Sequence, residues 1–428
     1  MKHKVSEVKL KNGARGLIVN VPDALVMTFD FNFRAGEYLV DPKKWEIPHL
    51  MEHVLLGANE LIPRARDFHA ELEKNGAYSN ASTGVYDIDY EAECADFEWE
   101  RILDLLLISI SKPLFLENEF KSEFGNVKEE LKARSNNHFR KLSLRMRQEV
   151  GFISKTDEDR LKIMDNVKLE DIKEHYTKTH LTSNMRFVIG GNLGSDRLTK
   201  LLDKIEAINL PRGVSRFKLP NEVPKRIQTP LLIEDRSVNN IYFYIDTFLK
   251  HQLAEHQNDT LNLLNTYLTE TLYSKILGTA RERGLLYDMS SGNYLSKLST
   301  NWWFGAQVSE NNISELFDIF ISEISKVRRG DINLDDIEST KQYIIGRFQR
   351  SAQTVFGTAN GYSYRYFFDG VIDNYSRYPN RIKAITKDLI IEVANLMFTD
   401  KVWILGLLGN TSREKINELE NQISVLWR

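Results

Sequence analysis

Along residues 24–33 the side chains alternate. Met27, Phe29, Phe31 and Phe33 fall on one face and Thr28, Asp30 and Asn32 on the other, which predicts a half-buried strand over Ala24–Phe33. Val85–Cys94 repeats the pattern, with Ile88, Tyr90, Ala92 and Cys94 inward and Asp87, Asp89, Glu91 and Glu93 outward. Two strands at the start, Val5–Leu10 and Arg15–Val21, flank Asn12-Gly13, a favoured hairpin turn. Helical periodicity marks 46–58, 65–75, 97–111, 117–149 and 169–180.

The second half uses the same grammar. Asn240–Phe248 alternates like 24–33. A helix near 169–180 leads to Arg186–Gly190 and then Gly191-Asn192, and a helix at 387–398 leads to Val402–Leu408 and then Gly409-Asn410. An offset that long describes a duplicated domain, not a solenoid repeat. The predicted architecture is α+β: two homologous α/β domains, each a mixed sheet with helices packed on it, related by internal duplication. The domains are placed at 1–210 and 231–428, joined by an extended linker at 211–230 that holds four of the ten prolines.

Composition narrows the function. The 428 residues carry 57 Lys and Arg against 60 Asp and Glu, a net charge of −3, without the basic surplus of a nucleic-acid binder. The first residues turn polar at once and no apolar run is long enough to span a bilayer, so a cytoplasmic protein is expected. With one cysteine, Cys94, there is no intrachain disulfide and no cysteine-based zinc finger. Cys94 reads as a small core residue, and any metal must be held by histidine and carboxylate.

The segment Pro48-His49-Leu50-Met51-Glu52-His53 supplies such ligands. His49 and His53, four apart on a helix, project from one face and can meet one zinc ion. Glu52 lies close enough to act on a water beside the ion without ligating it, which is the H-x-x-E-H order of inverted zinc peptidases. A third ligand is needed, and Glu123 and Glu130, two helical turns apart in 117–149, share a face. Their spacing alone fits an ordinary solvated helix as well. Other histidine pairs fare worse. His251 and His256, and His175 and His180, are five apart and point about 140° from each other, so they read as surface or packing residues. Gly190-Gly191-Asn192-Leu193-Gly194 lacks phosphate-loop spacing, and no G-x-S-x-G elbow occurs.

With these residues in view, the chain resembles the insulinase/pitrilysin zinc peptidases, as a half-length member similar to the mitochondrial processing peptidase group. The resemblance covers nearly the whole chain. Glu123, Val127 and Glu130 fit that family's E-x-x-x-V-x-x-E, so Glu130 is implied as third zinc ligand and Glu123 as a carboxylate orienting a histidine or supporting the water. Arg34-Ala35-Gly36-Glu37 is similar to the turn before the zinc helix. Asn75–Thr83 resembles the segment forming an edge strand on which substrate lies, implying that Asn80 and Ala81 bind peptide. Arg281-Glu282-Arg283-Gly284-Leu285-Leu286-Tyr287 resembles a substrate-binding R-E-x-R-G-L-x-Y segment. Tyr287 fits, but the position of the family arginine is Ala280, with Arg281 one place late.

The resemblance implies a zinc-dependent endopeptidase acting on unfolded peptides in a closed chamber, with one zinc per chain. Glu52 is the implied general base, with Asn80 or Tyr287 helping the developing oxyanion. A half-length member implies a homodimer or a heterodimer with a paralogue, with Tyr287 acting across the interface. The rival expectation is a non-catalytic or partner-dependent subunit of a heterodimeric peptidase. The sequence does not name the substrate or the cleavage preference.

Overall fold

The computed structural model describes residues 1–294, 296–373 and 375–428. The first part of the chain forms β1 (Lys4–Lys9), β2 (Arg15–Asn20), β3 (Val26–Phe33), α1 (Ile47–Leu55), α2 (Ala65–Glu73), β4 (Tyr78–Thr83), β5 (Ile88–Ala95), α3 (Trp99–Ser111), α4 (Glu117–Ser135), α5 (His138–Glu149), α6 (Asp157–Ile163), α7 (Leu169–Thr179), β6 (Met185–Gly191) and α8 (Ser195–Glu206). After an irregular stretch come β7 (Leu231–Glu234), β8 (Ile241–Leu249), α9 (Glu255–Asn265), α10 (Leu277–Glu282), β9 (Met289–Gly292), β10 (Thr300–Val308), α11 (Ile313–Arg329), α12 (Leu334–Ser351), α13 (Val355–Asp369), α14 (Tyr378–Ala384), α15 (Lys387–Leu396), β11 (Val402–Gly409) and α16 (Arg413–Ile423).

Two sheets carry the duplication. The first runs β1-β2-β6-β3-β5-β4 and the second β7-β11-β8-β10-β9. In both, a parallel pair (β2 with β6, β7 with β11) is followed by antiparallel pairs. Strand β4 bonds only to β5 and forms one edge of the first sheet. The mixed sheets with helices on them are the α/β pair the hydrophobic pattern predicts.

Neither compact unit is a continuous half of the sequence. One comprises Met1–Lys132, Glu158–Leu219 and Gln349–Tyr375; the other comprises Ala133–Asp157, Pro220–Phe348 and Ser376–Arg428. Helix α13 therefore belongs with the first sheet and α5 with the second. The cause lies in the second face of each sheet. In the first unit Leu17, Val19 and Val188 pack under Val355, Ala359, Tyr362 and Tyr366. In the second, Tyr244, Phe248 and Ile404 pack under Leu142 and Met146. The opposite faces hold the larger cores, Phe29, Phe31 and Phe33 with Leu50, Leu103 and Ile172 in one unit, Phe243, Ile245 and Phe304 with Leu264, Phe317 and Val393 in the other.

This covering corrects two readings. The strand at 24–33 is not half-buried: Thr28 and Asn32, on its polar face, are also buried. The amide of Asn32 donates to Asp87 (3.1 Å) and Asp89 (2.7 Å), so these acids do not face water freely. Nor is 117–149 one helix. It breaks at Asn136-Asn137, where the Asn137 side chain accepts a hydrogen bond from the Arg140 N–H and caps α5. The stretch 211–230 has no helix or strand but is pinned: Arg216 donates to Asn32, and Glu222 accepts from the Ile153 N–H at 2.6 Å. Among the described residues no helix is long and apolar enough to cross a membrane.

Candidate metal centre

Helix α1 is set by its buried face and its first turn. Ile47, Leu50, Met51, Val54 and Leu55 are buried, and Pro48 falls in the first turn, where its missing N–H leaves no bond unmade. That packing fixes His49 and His53 one turn apart, with ring centroids 5.0 Å apart. On α4, buried Phe120, Val127 and Leu131 anchor the helix and turn Glu123 and Glu130 towards α1. Glu129 points elsewhere and pairs with Lys132 at 2.6 Å.

One nitrogen, or carboxylate oxygen, from each of His49, His53 and Glu130 lies within 4.8 Å of the others. The Glu130 Oε2 atom is 3.3 Å from His49 Nε2 and 3.7 Å from His53 Nε2. Donors around one tetrahedral zinc at about 2.0–2.1 Å sit roughly 3.3 Å from one another, so this donor set fits a small divalent ion. The remaining ring nitrogens are engaged: His49 Nδ1 with Glu46 at 3.1 Å, His53 Nδ1 with Glu123 at 2.9 Å. Such partners fix tautomer and ring orientation, leaving each Nε2 facing Glu130. Glu46 is itself held by Arg160 through two bonds, 2.5 and 2.8 Å long.

Without a metal, protons are favoured on these rings. Burial disfavours the charged form of His53, but hydrogen bonds to Glu123 and Glu130 overcome it and lift the pKa to about 9. His49 is likewise raised against its burial, by Glu130 and Glu46. Burial would raise the Glu46 carboxyl, yet His49 and Arg160 hold it down at about 2. Glu123 is lowered in the same way, by His53 and Asn126 against burial.

Glu52 is buried and accepts a 2.6 Å hydrogen bond from the hydroxyl of Thr83, the last residue of β4. The candidate base is thus tied to the end of the sheet edge. Asn80 and Ala81 lie on that edge strand; the Asn80 side chain is exposed and donates to Glu91 at 3.3 Å. Arg281 and Tyr287 belong to the second unit. There the Arg281 guanidinium lies over the Tyr287 ring, 4.5 Å from its centre, and donates to the Tyr287 carbonyl at 2.6 Å. Ala280 is fully buried, so a guanidinium at that position would have no room in the core.

Four participants lie outside the motifs. Glu46 precedes His49 by three, a helical neighbour that sequence could have suggested. Asn126, three after Glu123, is another. Thr83 lies in the segment already singled out, though nothing marked its hydroxyl. Arg160 carries no local signal. Of the other paired histidines, buried His175 donates through Nε2 to the Ala35 carbonyl (2.7 Å) and His180 stacks on Phe33 and Tyr176, while His251 and His256 are exposed. Cys94 is a buried free thiol, its pKa pushed up to about 12 by burial.

Residues 41–161, which include His49, His53 and Glu130 with Glu52 and the groups that hold them, match the family model Insulinase (Peptidase family M16), and residues 166–344 match Peptidase M16 inactive domain. The chain is a two-domain M16 protein. Solved structures agree on the M16 fold. A protease from Helicobacter pylori superposes with a TM-score of 0.84 at 19% identity, over 95% of this chain and 100% of that one. A peptidase M16 inactive domain from Pseudomonas fluorescens gives 0.82 at 15% identity, over 96% and 98%. At these identities the likeness establishes fold. What this M16 chain does chemically rests on its own residues.

Proposed function

We propose that this M16 protein is a zinc-dependent metalloendopeptidase that cuts unfolded peptides. The observation that carries the reading is the convergence of His49, His53 and Glu130, with Glu52 on the same helix and held from the sheet edge. Zinc bound there would polarise the scissile carbonyl and make water a stronger acid. His49, His53 and Glu130 hold the ion, while Glu46 and Glu123 keep the two rings aimed. Glu52 accepts the proton of the attacking water and passes it to the leaving amine. Thr83 limits Glu52 to one position as it does so. Asn80 and Ala81 receive substrate as a further strand on the free edge of β4, main chain to main chain. Asn80 or Tyr287 steadies the developing oxyanion. The Arg281–Tyr287 pair supports placing the family arginine's role on Arg281. Two chains, identical or paralogous as in the mitochondrial processing peptidase group, close the chamber, with Tyr287 reaching the partner's metal centre.

Cleavage of a quenched peptide library by wild type and by Glu52→Gln, with bound metal quantified in each, tests this. Wild type should cut, and the variant should lose about 10²–10⁴-fold in rate at equal metal content. A variant that cuts at near-normal rate removes Glu52 from the chemistry. A second reading, a non-catalytic or partner-dependent subunit, is favoured by the match of residues 166–344 to an inactive domain. It prevails if both proteins hold zinc and neither cuts, and a paralogous chain that restores cleavage would complete it.

A further inference from the structure

The sequence holds three Asn-Gly pairs, Asn12-Gly13, Asn75-Gly76 and Asn360-Gly361. Such pairs are chemically frail, because glycine has no side chain to keep its amide nitrogen away from the asparagine side-chain carbonyl. The fold treats the three differently. Asn12 has both ends of its side chain held: Nδ2 donates to the Ile205 and Glu206 carbonyls at 3.0 and 3.1 Å, and Oδ1 accepts from the Ala14 N–H at 3.0 Å. Asn360 lies inside α13, where the helix commits the backbone to its own hydrogen bonds, and a Cβ at Gly361 would collide with the Tyr375 ring. Asn75 is exposed, stands at φ 60° within the single 3₁₀ turn Lys74–Gly76, and makes no side-chain hydrogen bond among the described residues. Gly76 follows at φ 79°, also exposed, with nothing within 4 Å of where a Cβ would stand. The chain is fixed on both sides of this turn. Upstream, Phe68 and Leu72 anchor α2, and Arg101 donates to the Lys74 carbonyl at 3.2 Å. Downstream, β4 pairs with β5 from Tyr78 onward, and Ala77 and Tyr78 border a cavity of about 400 Å³ beside Glu52 and His53.

We propose that Asn75-Gly76 is a site of spontaneous deamidation, a covalent change that the protein makes in itself at the entry to the edge strand. The Gly76 nitrogen attacks Cγ of Asn75. The new N–Cγ bond replaces the bond from Cγ to Nδ2, and that nitrogen leaves as ammonia with the Gly76 amide proton. Water then opens the cyclic imide. Addition at Cγ restores the ordinary main chain with aspartate in place of asparagine. Addition at the main-chain carbonyl instead gives isoaspartate, in which the chain runs through Cβ and Cγ and is one methylene longer. Water is the only co-reactant, and an uncharged amide becomes a carboxylate in both products. The added methylene falls between two fixed points, so the start of β4 has to shift or loosen against β5. Base promotes the first step by taking the Gly76 proton, and conversion quickens as pH rises.

The test holds full-length protein at mildly alkaline pH, in native buffer and in parallel in concentrated urea. Samples are digested over time and followed by mass spectrometry, with a protein-isoaspartate methyltransferase marking isoaspartate. In native protein the peptide carrying Asn75 should be lost to aspartate and isoaspartate products, while those carrying Asn12 and Asn360 stay intact. In urea all three should convert, since the fold no longer protects two of them. Asn75→Gln should abolish the native signal, because the longer side chain closes the ring poorly. Hydrogen exchange over Tyr78–Thr83 should quicken in aged wild type and not in aged Asn75→Gln protein. An Asn75 that stays intact in native protein while the same peptide converts in urea overturns the site, and so does equal native conversion of all three. Unchanged exchange over β4 in fully converted protein overturns the effect on the edge strand. None of these readouts uses metal or turnover, so the site stands or falls separately from the peptidase reading.

Discussion

At the scale of single residues, the candidate metal centre is built twice over, once from three converging side chains able to ligate and once from the groups that aim them. Glu46→Gln takes the charged partner from buried Arg160 as well as the acceptor from His49, so it should lower stability and weaken zinc about 10–100-fold, the latter read on the folded protein by competition with a chelator of known affinity. Arg160→Met is the harsher change, because it leaves the buried Glu46 charge uncompensated, a loss of about 3–5 kcal/mol, visible in chemical unfolding. Protons compete with the ion. The metal-free fold raises His53 from 6.5 to about 9, so the stability this adds is complete below 6.5 and is lost as pH rises through about 9. Ligation needs the neutral ring, so apparent zinc affinity should climb over the same interval, with protons released on binding at pH 7. Calorimetry in buffers of different ionisation enthalpy measures that release; none at pH 7 would contradict it. The donors themselves could be read from the sequence, since i and i+4 histidines must share a helix face. Glu130 needed the resemblance to stand out from a helix rich in acids. Arg160 could not be found, because its partner Glu46 is 114 residues away and no local pattern encodes a buried ion pair.

At the scale of elements, each sheet takes a helix against its second face, and glycine makes the approach possible. A Cβ at Gly190 of β6 would meet Thr28 Oγ1 at 2.8 Å, Ala359 Cβ at 3.0 Å and Val355 Cγ1 at 3.1 Å. At Gly406 of β11 it would press on the Met146 sulfur and Leu142. Gly190→Val and Gly406→Val should therefore each cost about 1–3 kcal/mol by overpacking, measured by denaturant midpoint, and the first should loosen α13 in hydrogen exchange before other parts of the unit. Strands β1, β2, β3, β5, β6, β8 and β11 were legible in the sequence, whereas β7, β9 and β10 were not read from it, β10 being buried on both faces so that little alternation remains. Which sheet α5 and α13 would cover was not legible either, since an amphipathic helix shows only that one face is buried and not against what. The break at Asn136-Asn137 left a signal, an asparagine suited to capping, but the helical period runs through it.

At the scale of the whole molecule, the two compact units are stitched from both halves of the sequence. Separating the chain within 211–230 should not release two folded halves. A fragment ending near residue 215 would keep α5 without its sheet and leave the second face of its own sheet bare, and we expect it to be insoluble or aggregated unless the other fragment is produced with it. A monomeric, cooperatively unfolding 1–215 fragment would contradict this. The duplicated architecture was readable from two matching helix–strand–glycine passages, whereas the exchange between the copies has no counterpart in pattern or composition. The exchange also sets an order of events during synthesis. Leu17, Val19 and Val188 are all made before Val355–Asp369 leaves the ribosome, about 165 residues later. At about 5–20 residues per second, the apolar back of the first sheet stays uncovered for roughly ten to thirty seconds in every nascent chain. The early-made half thus waits for the late-made one, and a chaperone that shields exposed strands during that interval should raise the yield of native protein.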